Sequence, residues 1–257
     1  MKIAAFDFDG TILFPNGIDD RTVEVIHAWQ DAGHLAVAAT GKSLSAAHYA
    51  LQEVDLVFDY SVLFTGAVVT DRDGTVLHSR SLETGTVRRI VEDLIEIEGA
   101  AVFATMLQGR DVRFSSTVLP EVETSILQDF REITTEEIDD YEFIGIPIWV
   151  PGNEELKMRI HDWLRNTYDV GCVINQDFVD IVPTGTTKGA GLEWLWHYLG
   201  RKRCEVEIYT FGDSWNDLPM HDLADRSFSF PWSPPGVRVT TDEVIDSVAD
   251  VLPRLLG

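Results

Sequence analysis

The sequence predicts an α/β fold: a doubly wound, mainly parallel sheet interrupted by an inserted α+β domain. Three observations carry this expectation. Short apolar runs alternate with helical periodicities over residues 1–80 and again over 178–257, the pattern of βα units that build a parallel sheet. Polar, Gly-bearing turns follow those runs directly, at the carboxyl ends of strands where an open parallel sheet places its ligands. Between about Leu82 and Asp177 the order changes to mixed helices and strands whose strands carry neither a carboxylate pair nor a Gly-rich loop. The expected domains are a core of residues 1–81 and 178–257 and an insertion of residues 82–177.

The apolar run from Ile3 to Phe6 opens the core as a strand and is followed by Asp7-Phe8-Asp9-Gly10-Thr11. Side chains alternate along a strand, so Asp7 and Asp9 point the same way beyond its end and hold two like charges together. Such a pair calls for a cation or a shared proton, because neighbouring anions raise each other's pKa. Gly10 lets the chain turn away and leaves the carboxylates at an open edge. Asp19 or Asp20 then caps a helix through Val23, Ile26 and Trp29, closed by Gly33. His34 to Ala39 reads as the next buried strand, and Thr40-Gly41-Lys42-Ser43 stands between it and a helix over residues 45–51. A hydroxyl and free backbone N–H groups at such a junction bind an anion, although Thr40 and Ser43 equally suit plain helix capping.

Residues 55–79 read as short strands at 56–58, 62–64, 68–69 and 76–77, the last two joined by the hairpin turn Asp71-Arg72-Asp73-Gly74. In the insertion, a helix rich in Arg, Glu and Ile precedes strands at 101–106 and 112–115, a helix from Glu121, a strand at 143–150 and a helix from Glu154. Arg110, in the turn Gln108-Gly109-Arg110-Asp111, is its candidate substrate contact, set against the plain reading of a solvated surface charge. After Phe178 to Pro183, Lys188 opens a helix bearing Leu192, Leu195 and Trp196, a position where a cation opposes the helix macrodipole and so calls for a reason. The strand at 207–211 ends in Gly212-Asp213-Ser214-Trp215-Asn216-Asp217. An aromatic, Pro-rich stretch from Phe228 to Pro235, a short strand and a helix from Asp242 to Leu255 complete the pattern.

Composition narrows the function. The 257 residues include 43 acidic against 20 basic ones, a formal net charge of -23. Such a surface repels nucleic acid and anionic lipid, so neither is an expected partner, and any phosphate site must be made locally positive by a metal ion and a Lys or Arg. No apolar run is long enough to cross a bilayer, and Asp7 interrupts the first one too early for a signal peptide. Cys172 and Cys204 form no Cys-x-x-Cys pattern and read as buried structural thiols, consistent with a cytoplasmic setting.

Four stretches, Asp7-Phe8-Asp9-Gly10-Thr11, Thr40-Gly41-Lys42, Lys188-Gly189 and Gly212-Asp213-Ser214-Trp215-Asn216-Asp217, resemble in order the four motifs of the haloacid dehalogenase (HAD) superfamily. The insertion resembles, in placement, size and pattern, the α+β cap of its Cof-type branch, which contributes substrate contacts. The resemblance implies a Rossmann-like core and a Mg²⁺-dependent phosphatase acting on a small phosphorylated metabolite, a sugar or polyol phosphate, through a phospho-aspartyl intermediate. In that scheme Asp7 is the nucleophile and Asp9 the general acid and base. Thr40, Gly41 and Lys188 hold the transferring group, with Lys188 also neutralising the nucleophile. Mg²⁺ lies between Asp7, the backbone carbonyl of Asp9 and Asp213, while Asn216 and Asp217 hold the coordination shell and the lysine. A hard cation with carboxylate, water and phosphate oxygens suits such a set.

Three departures accompany the match. Lys42 stands where many relatives have Arg, with a peripheral contact the expected consequence. Thr65-Gly66-Ala67 replaces the usual Asn-Gly-Ala, and the stretch from Phe228 to Pro235 replaces a Met-Gly-Asn-Ala turn. A phosphomutase using the same intermediate and a catalytically silent phosphometabolite-binding regulator are the alternatives. Intact Asp7, Asp9, Lys188 and Asp213 argue against the regulator.

Overall fold

The computed structural model describes residues 1–107, 109–119 and 130–257, with the backbone alone for Asn175. The helix expected from Glu121 and the turn residue Gln108 lie outside the described residues. In chain order the elements are β1 (Lys2–Phe6), α1 (Asp20–Asp31), β2 (Leu35–Ala39), α2 (Leu44–Leu51), β3 (Tyr60–Leu63), β4 (Val68–Asp71) and β5 (Val76–Ser79). There follow α3 (Thr84–Leu94), β6 (Ala101–Met106), β7 (Asp111–Ser116), β8 (Phe130–Glu132), β9 (Phe143–Trp149), α4 (Glu154–Thr167), β10 (Gly171–Asn175) and β11 (Phe178–Val182). Then come α5 (Lys188–Tyr198), β12 (Glu207–Phe211), α6 (Leu218–His221), β13 (Arg226–Ser229), α7 (Pro235–Arg238), β14 (Glu243–Val244) and α8 (Val248–Val251). Chain packing divides these into two compact units, Met1–Lys42 with Ala47–His78 and Thr187–Gly257, and Ser43–Ala46 with Ser79–Thr186.

The larger unit is built on a sheet ordered β14-β13-β12-β1-β2-β3-β4-β5. The pairs from β14 through β3 are parallel, and β3 with β4 is antiparallel. Both faces of the central strands are covered, so β1 and β2 read as apolar runs rather than alternations and are buried almost throughout. At the carboxyl ends of β1, β12 and β13 the register brings together a ladder of phenyl rings. Phe6 pairs with Phe211 and Phe211 with Phe228, and the rings stack with centroids 5.1 and 4.8 Å apart. α1 starts where its cap is, with the Asp19 carboxylate accepting from Thr22 N–H at 2.9 Å.

Two expectations for this unit change. Residues 56–58 do not form a strand: Leu56 and Phe58 are buried and Val57 is exposed, so the alternation is real, but the segment is extended chain outside the sheet. Phe58 packs its ring against Phe6 and Phe8 there. The helix expected from Asp242 begins only at Val248, because Glu243–Val244 adds to the sheet beside β13 and Ser247 then caps α8 through Ala249 N–H.

The smaller unit has a sheet ordered β10-β11-β9-β6-β7-β8, antiparallel except for β7 with β8. Helix α3 buries Val87, Ile90, Val91 and Leu94 in a core shared with Val102, Ile146, Ile148 and Leu164. The strands β8 and β10 are additions to the expected pattern. The boundary expected at residue 178 also moves: β11 pairs with β9 and β10, so residues 178–182 belong to the smaller sheet. Pattern alone does not separate the two sheets, because an apolar strand is equally at home in either.

Candidate active site

At the end of β1 the strand order reverses, with β2 on one side and β12 on the other, which is where a doubly wound sheet opens a crevice. Asp7 sits there, its N–H donating to the Phe211 carbonyl at 2.9 Å and its side chain buried. Lys188, the first residue of α5, donates through Nζ to Asp7 Oδ1 and to Asp217 Oδ1, both at 2.6 Å. Neither Lys188 nor Asp217 has exposed surface. The second oxygen of Asp217 accepts from Ser214 N–H at 2.9 Å. Burial pulls the Lys188 pKa down, but the Asp217 and Asp7 carboxylates outweigh it and raise it overall. Two charge-assisted bonds thus supply the reason for a lysine at a helix N-terminus, where the macrodipole alone costs about 1 kcal/mol or less.

The acidic residues gather as the motifs suggested. Asp7, Asp213 and Asp217 each offer an oxygen within 4.8 Å of the others. Burial pushes the Asp7 carboxyl well above its ordinary range, Lys188 opposes this, and Asp217, Asp213 and Asp9 add to it. Burial and then Asp217 likewise push Asp213 up to about 7. Buried carboxylates that destabilise one another are the donor set a hard divalent cation satisfies. Asn216, the neighbour of Asp217 in the chain and also buried, leaves Oδ1 without a hydrogen-bond partner among the described residues. An orphan acceptor of this kind suits the hydration shell of such an ion, so the residues present fit Mg²⁺.

Two glycines make the convergence possible. Gly10 has φ +78°, and a Cβ there would lie 2.5 Å from Asp213 Oδ2. A Cβ on Gly212 would lie 2.4 Å from Asp217 Cγ. Side chains at either position would expel a carboxylate of the cluster.

Asp9 is not among the side chains that form this cluster. Its carboxylate instead pairs with Lys42, Oδ2 to Nζ 2.9 Å. This corrects the expectation that Lys42 is peripheral. Thr40, one residue beyond β2 and buried, accepts through Oγ1 from Lys42 N–H at 3.2 Å, which leaves its own hydroxyl hydrogen free to donate. Gly41 follows it, partly exposed. The carbonyls of Thr40 and Lys42 accept from Thr65 N–H (3.1 Å) and Phe64 N–H (3.0 Å), so the substituted Thr65-Gly66-Ala67 stretch buttresses this loop through its backbone.

Sequence reasoning missed one more support. Trp232 Nε1 donates to the carbonyl of Gly10 at 2.8 Å, its ring stacks on Phe230, and Phe14 meets it edge-on. No local signal announces a contact between residues 222 positions apart. In the smaller unit Arg110 is exposed, in the loop before β7.

The chain belongs to the haloacid dehalogenase-like hydrolase family, whose profile matches residues 4–251. It is an enzyme of the HAD superfamily, with an inserted α+β unit. It is similar to an HMP-PP phosphatase of Yersinia enterocolitica, 25% identical over 232 residues that cover 88% of this chain and 82% of that protein. An HMP-PP phosphatase of Enterobacter sp. is 24% identical over 229 residues, with coverages of 85% and 80%. Among solved structures, a haloacid dehalogenase-like hydrolase from B. subtilis shares the fold at TM-score 0.85 and 18% identity, covering 99% of this chain and all of the other. A HAD subclass IIB sugar phosphatase does so at TM-score 0.80 and 18% identity, covering 99% of both chains.

Proposed function

We propose that the protein is a Mg²⁺-dependent phosphatase that hydrolyses small phosphate monoesters, sugar or polyol phosphates, through a phospho-aspartyl intermediate on Asp7. The observation that carries this reading is the buried triad in which Lys188 bridges Asp7 and Asp217 beside Asp213. Lys188 engages only Oδ1 of Asp7, which leaves Oδ2 to attack phosphorus in line. Asp9 gives a proton to the departing alkoxide and later takes one from the water that hydrolyses phospho-Asp7. The Thr40 hydroxyl and the Gly41 N–H bind phosphoryl oxygens, and the Lys188 ammonium neutralises their charge. Asp7 and Asp213 would hold Mg²⁺, with the Asp9 carbonyl, while Asp217 and Asn216 keep the lysine and the shell in place. When bound, the ion supplies neutralisation of the carboxylate and phosphate charges, which together with positioning is the main source of acceleration in phosphoryl transfer.

The likeness to HMP-PP phosphatases and to a subclass IIB sugar phosphatase supports the phosphatase reading. Substrate discrimination is assigned to the smaller unit, because the motifs of the larger one address only the phosphate and the ion. A cytoplasmic setting is supported by two free cysteines, although Cys204 is exposed and Cys172 half-buried where both were expected buried; among the described residues no helix is long and apolar enough to cross a membrane.

The test is phosphate release from a panel of sugar phosphates, polyol phosphates and heterocyclic diphosphates. Free phosphate is expected. Isomerisation without release would point to a mutase, and binding without either would point to a regulator. Asp7→Asn should retain the fold and lose turnover, since the amide is nearly isosteric but a poor nucleophile. Substantial release by that variant would falsify the phospho-aspartyl route.

A further inference from the structure

The Lys42–Asp9 pair gives the acid-base residue a partner of its own. The Lys42 side chain is 10% exposed against 32% for Asp9, and the separation is 2.9 Å. Exposed ion pairs fix little, because both side chains keep their rotamers and solvent screens them. Here the lysine is anchored at both ends. Its N–H is bound to Thr40 Oγ1 and its carbonyl to Phe64 N–H, while the ammonium meets Asp9. The buttress is itself an unusual conformation, with φ 49° at Phe64 and φ 56° at Thr65, both buried. Residues of these types take positive φ only when surrounding structure imposes it.

An ammonium bonds an anionic carboxylate more strongly than it bonds the carbonyl oxygen of a carboxylic acid. The pair therefore supports Asp9 most in the half of the catalytic cycle in which it acts as an anion. In the first half, phosphorylation of Asp7, Asp9 gives up a proton. In the second, water oxygen bonds to phosphorus as the bond from phosphorus to the Asp7 oxygen breaks, and a water proton passes to the Asp9 carboxylate. The products are inorganic phosphate, the free Asp7 carboxylate and a protonated Asp9 ready for the next leaving group.

We propose that Lys42 is a positioning residue for the second half-reaction, its ammonium holding the Asp9 carboxylate in place to accept the proton of the hydrolytic water. The inference rests on the phosphatase reading. It assigns to Lys42 an action on phosphoenzyme breakdown through Asp9, rather than on the incoming phosphate.

The experiment is rapid-mixing of the full-length enzyme with p-nitrophenyl phosphate at saturating Mg²⁺, with acid quenching to count phosphoenzyme. Nitrophenolate leaves without needing a proton, so phosphorylation is insulated from Asp9 and breakdown is not. Lys42→Met should leave the first-turnover release of nitrophenolate within a few-fold of wild type. It should slow phosphoenzyme breakdown by on the order of 10²-fold, the lower end of what positioned acid-base catalysis contributes, so that phosphoenzyme accumulates. Lys42→Arg should restore most of the breakdown rate. In an Asp9→Asn background, Lys42→Met should slow breakdown no further, the non-additivity of two residues acting as one.

Equal slowing of both steps without accumulation, or additive effects in the Asp9→Asn background, would overturn the proposal. Lys42→Gln, read out in the same way, serves if the Met variant does not fold. If the wild-type enzyme forms no phosphoenzyme at all, the phosphatase reading itself has failed, an outcome distinct from either of these.

Discussion

Asp111 shows how far burial reaches beyond the carboxylate cluster. It is buried in the smaller unit, with Oδ2 accepting from Ser43 Oγ at 2.8 Å and Oδ1 without a partner among the described residues. Burial pushes its carboxyl from 3.8 up to about 6, against the lowering by the Ser43 and Met106 hydrogen bonds. The native state therefore holds this proton more tightly than the unfolded chain, and stability is lost as pH rises from about 4 through 6. Asp111→Asn keeps an acceptor for Ser43 and removes the charge. Its stability should match wild type near pH 4 and exceed it at pH 8 by on the order of 2 kcal/mol, measured by denaturant unfolding at both pH values. A difference that does not change with pH would show that the group titrates elsewhere.

Short segments set the geometry around the site. The turn at Phe64 to Gly66 holds a β-branched residue at φ 56°, a region where Asn is enriched and Thr is an outlier. Thr65→Asn should relieve about 1 kcal/mol of strain and raise Tm by roughly 2–4 °C in a thermal scan, since the backbone bond to Thr40 is retained. An unchanged or lower Tm would mean that the Thr65 side chain makes a compensating contact. Helix α5 carries the opposite lesson. Gly189 and Gly191 each weaken a helix by about 1 kcal/mol relative to Ala. Yet a Cβ at 189 would lie 2.2 Å from the Pro219 carbonyl oxygen, and one at 191 would lie 2.4 Å from Val62 Cγ1. Gly189→Ala should therefore lower Tm despite its better propensity, and should reduce turnover by displacing Lys188. A rise in Tm would mean that α5 has room to shift.

For the whole molecule the dominant electrostatic fact is an acidic chain with a cluster of carboxylates buried at its sheet crevice. Such a cluster opposes folding until a cation binds it, so binding Mg²⁺ should also stabilise the native state. At a hundredfold excess over its Kd the gain is about 2.7 kcal/mol, visible as a Tm increase that EDTA reverses. Phosphate release should vanish in EDTA as well. Asp213→Asn should abolish both the Mg²⁺-dependent Tm increase and the activity while leaving a folded protein. A Mg²⁺ shift of normal size in that variant would place the ion elsewhere.

Local sequence was sufficient for the parallel core, its capping residues and the placement of the four motif-bearing turns at strand ends. Those features depend on side-chain periodicity and on residue types within a few positions of one another, as Asp19 at the start of α1 and Asp7 beyond β1 show. Family resemblance assigned the roles of Asp7, Asp9, Lys188 and Asp213. What required the tertiary structure is everything set by pairing across large sequence separations. β11 joins the smaller sheet because its partners are β9 and β10. Lys42 meets Asp9 only when β1 and β2 lie side by side. The Trp232 indole reaches Gly10 across 222 residues. Hydrophobic pattern states which faces are buried, but it carries no information on which buried face meets which, and packing and hydrogen-bond register alone decide that.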